Sequence, residues 1–255
     1  MGYNDHGHMP NADWKGMKPT NPISIGPDEL LVELTAWGPS KDLFSSMWNQ
    51  VQATWGDHAY SYTEKEVLAD PVKMDFIESI FRGEKLAQIL ESIVLHFKIE
   101  GVSRACTHQI VRTRGAVIYQ HGGRNNDWRH RSFRMPETVR RAIIEVDGKY
   151  RTDPDRYRGY ELKSCIEDST GLNQWLHGDT LHDTIMAHLL RGRALYAQLL
   201  DAGIPSQDAR RFLPIGMTTF LFANYPYKVL QGFLGVRLEH VMDWEINCVA
   251  QLIVR

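Results

Sequence analysis

The chain has 255 residues, 43% of them hydrophobic, enough apolar material for one large domain or two small ones around a sizeable core. Its 29 Lys and Arg nearly balance 31 Asp and Glu, so it lacks the global basic field of a general nucleic-acid binder, and any anion site must be local. Cys106, Cys165 and Cys248 are widely spaced and form no CxxC pair, which argues against a disulfide framework or a cysteine zinc site and fits free thiols in a reducing cytosol.

Residues 1–27 are rich in Gly, Pro and Asn and read as a flexible leader, without the basic start and apolar core of a secretory signal. No later stretch is apolar for long enough to span a bilayer, so no membrane partner is expected and a cytoplasmic location is. His6 and His8 lie in the leader, where two histidines are more simply part of a tail than a metal site, and no metal ligand is assigned. No repeat, low-complexity tract or linker interrupts residues 28–255, which are expected to form a single domain.

Glu29 to Trp37 alternates as a strand, ended by Gly38-Pro39. Ser40 is the expected N-cap of a helix through about Thr54, with Leu43, Phe44, Met47, Trp48 and Val51 on its apolar face. Asp57 to Asp70 reads as a loop, Pro71 to Phe81 as a helix with proline in its first turn, and Glu84 to Leu90 as a short helix. Ser92 to Glu100 alternates as a strand and delivers the chain to the stretch Ser103 to Arg124, SRACTHQIVRTRGAVIYQHGGR.

This stretch gathers Arg104, Arg112, Arg114 and Arg124 with two histidines and a Gly-Gly pair, a mixture suited to an anion site. Helical spacing from Arg104 to Arg112 predicts that Gln109, Arg112 and Thr113 emerge at a helix C-terminus. Guanidinium forks suit phosphate and pyrophosphate oxygens, and Gly122-Gly123 allow positive φ and close approach of a ligand. An arginine-rich surface hairpin making ordinary ion pairs has the same composition. A strand is expected near 116–120, and Trp128 to Arg134 has the rings and arginines of a single-strand nucleic-acid patch, although a solvated loop leading to a helix at Pro136 is the simpler account. Asp147 to Gly178 is charged and turn-rich. Thr180 to Ala202 is an amphipathic helix with Ile185, Leu189, Tyr196 and Leu200 on its buried face, stopped by Gly203 and Pro205. A strand near 216–223 and a helix from Trp244 to Val254 complete an α+β pattern.

The central stretch resembles the signature of the flavin-dependent thymidylate synthases, R-H-R-x-x-S-x-x-x-x-S-x-R, with Arg112, Arg114 and Arg124 on its three arginines. IPSQDARRFLP (Ile204 to Pro214) resembles the family segment carrying a substrate-phosphate arginine, here Arg210. FLGVRLEHVMDWEI (Phe233 to Ile246) resembles the segment whose arginine lies beside the pyrimidine, here Arg237. Thr113 replaces the motif histidine, Val117 and Gly122 its serines, and Gln120 an acidic residue. GEKLAQILES replaces a histidine-containing segment, and Lys228 and Gly232 stand where the family has a flavin-holding arginine and an asparagine, so the chain reads as a divergent member.

The resemblance implies a mixed α+β fold assembled as a homotetramer, with each active site built by more than one subunit. It implies methylation of C5 of a uridine monophosphate, dUMP or UMP, with methylenetetrahydrofolate as one-carbon donor, FAD as cofactor and NADPH as reductant. Substrate contacts fall to Gln109, Arg112, Gln120, Gly122, Gly123, Arg124, Arg210 and Arg237, and flavin contacts to Arg112, Thr113, Arg114, Gln120, Lys228 and Gly232. Arg237 is the expected catalytic residue, placed to stabilise charge developing on the uracil carbonyl. Polymeric nucleic acid is not an expected partner. A flavin-free nucleotide-binding protein and a UMP-preferring methylase of modified-nucleoside biosynthesis remain alternatives.

Overall fold

Alternating strands build one sheet on which the rest of the chain is arranged. The structure is a computed structural model and describes residues 23–25, 30–39, 41–56, 58, 60–124, 126–129, 131, 133–136, 139, 181–239 and 243–255. Strands β1 (Ile23–Ile25), β2 (Leu30–Gly38), β3 (Val94–Ser103), β4 (Val117–Gln120) and β5 (Thr218–Pro226) pair antiparallel in the order β1-β2-β3-β5-β4. The α+β expectation holds in this sheet and its flanking helices. Ile23–Ile25 lies inside the stretch read as a leader, yet it pairs with Leu30 to Val32, so the sheet begins there.

Period-two alternation sends Leu30, Val32, Phe97, Ile99, Leu221, Ala223 and Tyr225 to one buried face. Three helices cover it: α4 (Arg104–Ile110) with Cys106 and Ile110, α7 (Tyr227–Arg237) with Leu230 and Phe233, and α8 (Trp244–Val254) with Ile246, Val249 and Leu252. Each fully buried aliphatic side chain contributes about 1.5–3 kcal/mol. The last helix matches its expected span. Its N-cap Asp243 accepts from the amides of Glu245 and Ile246 at 3.1 and 3.4 Å.

A second cluster joins α1 (Leu43–Trp55), α2 (Glu64–Leu68), α3 (Pro71–Phe81) and a 3₁₀ turn at Ala87–Ser92 through Met47, Val51, Val67, Ile77, Ile80 and Leu90. Several expectations change here. Asp42, with φ 55° and no side-chain cap, takes the N-cap position of α1, while Ser40 lies outside the described residues. The first amides of α1 are instead satisfied from a distance, as the Glu64 carboxylate accepts from Phe44 and Ser45 at 3.2 and 2.7 Å. The stretch read as a loop up to Asp70 contains α2, started by a Thr63/Glu66 capping box. The helix expected over Glu84 to Leu90 is the later 3₁₀ turn.

A third cluster forms under α5 (Leu181–Asp201) and the short α6 (Ser206–Ala209), with Trp128, Phe133, Leu190, Tyr196, Ala209 and Met217. Its buried line runs through Ala187, Leu190, Arg193 and Tyr196, displaced from the expected Ile185, Leu189 and Leu200, which are only half-buried. Arg193 hides this face in the sequence. It is 1% exposed, donates to the Arg131 carbonyl at 2.9 Å and places its guanidinium 5.7 Å from the Phe133 ring. The helix expected beyond Pro136 lies almost wholly, and Asp147 to Gly178 wholly, outside the described residues. No described helix is long and apolar enough to cross a membrane.

Candidate active site

The site is organised by α4, and α4 is fixed at its start by one residue. Ser103 ends β3 and caps α4, its Oγ accepting from the Cys106 amide at 3.0 Å. The Ser103 amide and hydroxyl both donate to the Glu245 carboxylate, at 2.6 and 2.5 Å. Glu245 is 4% exposed and lies 3.8 Å from Arg134 Nε. Burial pushes its carboxyl above the ordinary range, against the pull of the Ser103 hydrogen bonds and Arg134. The amides of Arg104 and Ala105 donate to the carbonyls of Met217 and Ile215, each at 3.0 Å, completing the attachment.

At this N-terminal end of α4, the structure brings together Gly122, Gly123, Arg124 and Arg210. Ser206 Oγ donates to the Arg124 carbonyl, while Arg210 Nε donates to the Gln207 carbonyl at 3.1 Å. A Cβ on Gly123 would sit 3.0 Å from Arg210 Cδ and 3.5 Å from Trp128 Nε1, so glycine lets the Arg210 stem pack closer than it could against an alanine, while the indole would be in ordinary contact. Neither Gly122 nor Gly123 has positive φ, contrary to expectation, and what Gly123 contributes is space. His121 stacks on Trp128 (5.4 Å, 22°) and lies 4.7 Å from Phe220. Burial, reinforced by Arg131 and Arg104, lowers its pKa to about 4, so the ring is neutral at pH 7. Trp128 and Phe133 are buried, which removes the rings a single-strand nucleic-acid patch would need.

The chain leaves α4 at Val111, and Arg112, Thr113 and Arg114 follow as expected. Gly115 carries the positive φ of this region, 84°, and its missing Cβ would lie 2.9 Å from Val229 of α7. This contact brings the Arg-Thr-Arg turn against the helix bearing Lys228 and Gly232. Lys228 reaches Glu91 at 3.5 Å with both side chains about half exposed, a pair worth about 0–1 kcal/mol that a ligand can displace. Gly232 faces open space. Tyr225 lies under the turn, and burial pushes its phenol up while Thr113 and Arg237 hold it back. The Thr113 hydroxyl approaches that phenol without completing a hydrogen bond.

Arg237 ends α7, and its carbonyl accepts from Asn247 Nδ2 at 2.9 Å. Its charge is felt at Tyr225 and at Cys106, in the first turn of α4. Gln120 lies between the two ends, donating from Nε2 to Thr107 Oγ1, and Gln109 is half-buried in the last turn of α4. Among the described residues, no group of three or more His, Cys, Asp or Glu is placed to hold a metal ion.

The model of a family described as thymidylate synthase complementing protein matches residues 38–255. The chain belongs to the flavin-dependent thymidylate synthase family. Proteins named flavin-dependent thymidylate synthase are similar to it: that of Sulfolobus acidocaldarius is 28% identical over 194 residues, 75% of this chain and 59% of its own length. The protein of Pyrococcus abyssi is 27% identical over 207 residues (80% and 69%), and that of Thermococcus onnurineus 30% identical over 166 residues (64% and 53%). The chain thus spans 59% of the Sulfolobus relative and 53% of the Thermococcus one.

Within this member of the flavin-dependent thymidylate synthase family, the family resemblance gives no role to Arg104, His121, Trp128 or Glu245, although Arg104 and His121 belong to the stretch suited to an anion site and Trp128 to the patch of rings and arginines. The first three lie inside or beside the quoted stretch, and their proximity to Arg210 is a tertiary fact. Glu245 had a readable signal, an acidic residue on the apolar face of α8, two residues after its cap.

Proposed function

We propose that this chain methylates C5 of dUMP to give dTMP, using methylenetetrahydrofolate, FAD and NADPH, as a homotetramer in which each active site draws on more than one subunit. The observation carrying this reading is that α4 holds two cationic groups at its two ends. Gly122 to Arg124 lie with Arg210 at one end, and Arg112 to Arg114 lie against α7 and Tyr225 at the other. The names of the relatives favour dUMP as the nucleotide.

The residues fit a flavin dinucleotide. Arg112 and Arg114 are exposed, no described carboxylate pairs with them, and the Gly115 turn sets them against the helix that bears Lys228 and Gly232. Arg112, Thr113, Arg114, Lys228 and Gly232 would hold the cofactor, which when reduced supplies the reducing equivalents of the methylation. Arg124 and Arg210 would bind the substrate phosphate, with Gln109, Gln120, Gly122 and Gly123 along the nucleotide. Arg112 would also reach the substrate, and Arg237 would stabilise charge on the uracil carbonyl. A single domain over residues 28–255 and a cytoplasmic location belong to the same proposal. The free thiols of Cys106 and Cys248 are consistent with that location.

Turnover of dUMP and UMP side by side with all three cosubstrates tests the function. Formation of dTMP dependent on folate and FAD is the expected result. Methylation of UMP alone would overturn the choice of nucleotide, and purified protein that takes up no flavin would overturn the cofactor.

A further inference from the structure

Tyr225 places a hydroxyl beneath the Arg-Thr-Arg turn where, among the described residues, nothing bonds it. The side chain is fully buried on β5, and its oxygen has no hydrogen-bond partner. The ring is clamped on two sides, by Phe97 at 6.3 Å and 62° and by Phe233 at 5.5 Å and 38°, so the hydroxyl cannot swing to another acceptor. Burial raises the affinity of the phenol for its proton, and the oxygen is a donor at neutral pH. A buried hydroxyl without a partner costs free energy, and folded chains keep few of them without a use.

Thr113 offers the neighbouring hydroxyl, near enough to be felt at the phenol and short of a completed bond. Cys106 and Arg237 also face the phenol, and neither is hydrogen-bonded to it. Thr113 is half-buried between the exposed Arg112 and Arg114. Its turn is tied by local backbone bonds, from the Thr113 amide to the Ile110 carbonyl at 3.0 Å and from the Ala116 amide to the Thr113 carbonyl at a long 3.4 Å. Neither bond belongs to a strand ladder, so the turn can move a short way toward β5 without disturbing the sheet.

We propose that Tyr225 is a positioning residue for the flavin: when Arg112 and Arg114 engage the cofactor's phosphates, the turn closes onto β5 and the Tyr225 hydroxyl donates to Thr113 Oγ1. This rests on the flavin reading given above and adds to it a residue outside the arginine signature. A contact made only in the loaded protein raises affinity for the ligand without stabilising the free chain. It also gives Thr113, which replaces the motif histidine, a partner on β5.

Titration of the full chain, stripped of flavin, with FAD tests this, together with the melting temperature of the flavin-free protein. Tyr225→Phe should weaken FAD binding about three- to tenfold, the loss of one neutral hydrogen bond. The flavin-free variant should melt no lower than the parent, because the substitution removes a buried hydroxyl that had no partner. Thr113→Val should weaken FAD binding to the same extent, and the double variant no further, since both remove one bond. Thr113→Ser keeps the hydroxyl and should bind FAD like the parent. If Tyr225→Phe lowers the melting temperature of the flavin-free protein and FAD affinity together, the phenol is structural and the proposal fails. If Arg112→Ala loses FAD while Tyr225→Phe and Thr113→Val bind it within about twofold of the parent, the proposal fails and the flavin reading survives. If Arg112→Ala also binds FAD like the parent, both fall.

Discussion

Glu245 shows how one buried carboxylate sets the position of a site it does not enter. It receives both Ser103 donors and faces Arg134, while Asp243, Cys106 and Cys248 are its other titratable neighbours. Truncation to alanine removes this acceptor from Ser103 and Arg134 and should cost about 3 kcal/mol. Its pKa is raised in the folded state, so its contribution to stability is fully present below the ordinary carboxylate range and is lost as pH rises through the raised value. Melting temperatures measured between pH 4 and pH 7 should therefore show a downward component in the parent protein that Glu245→Gln removes. Parallel profiles would assign the titration to another group. Arg112 is a simpler case, since its side chain is exposed and unpaired among described residues. Arg112→Ala should lose flavin with little change in melting temperature, because a pyrophosphate would lose a charge-assisted partner worth about 1.5–3 kcal/mol. Full flavin occupancy in the variant would exclude Arg112 from the cofactor site.

At the scale of elements, the decisive contact is between the turn after α4 and the flank of α7. Gly115→Ala puts a Cβ at positive φ and 2.9 Å from Val229 Cγ2, which costs about 1–3 kcal/mol in backbone strain before any movement of α7. Flavin content should fall more than nucleotide affinity, because Gly123 and Arg210 lie at the other end of α4. Equal loss of both ligands would mean that the two ends move as one unit. Elements whose pattern is local were legible beforehand. β3, α4 and α8 carry their alternation, helical spacing or cap in consecutive residues. Others depend on residues distant in the chain: Glu64 capping α1, Arg193 buried under Phe133, and Gly123 making room for Arg210 rather than adopting positive φ. The Thr63-x-x-Glu66 box that starts α2 is a local signal as well, set within a polar, tyrosine-bearing stretch whose composition is that of a loop. The arginine frame itself was legible as chemistry, but its division between the two ends of α4 needed the packing of β5 and α7.

On the scale of the whole molecule, the candidate site presents its cationic side chains at the surface of the described residues. Arg112, Arg114, Arg124 and Arg210 are all exposed, and Tyr119 (65%), Val117 and Phe222 present apolar surface on adjoining strands β4 and β5. A cavity of about 370 Å³ lies elsewhere, in the helical corner between Trp48, Trp55, Tyr62 and Phe76. A nucleotide and a flavin need water excluded around them for charge stabilisation to be effective, and the proposed tetramer would supply walls from neighbouring subunits. If the phosphate end of one subunit works with Arg237 of another, inactive Arg210→Ala and Arg237→Ala chains should complement each other when unfolded together and reassembled. Random mixing of equal amounts should restore about a quarter of the parent activity, since each site needs an intact phosphate end from one chain and an intact Arg237 from its neighbour. If each site lies within one chain, every chain in the mixture is defective and activity stays at the level of the separate variants. Sedimentation of the mixture establishes that assembly occurred, so a tetramer without recovered activity would place Arg237 and Arg210 in the same subunit's site.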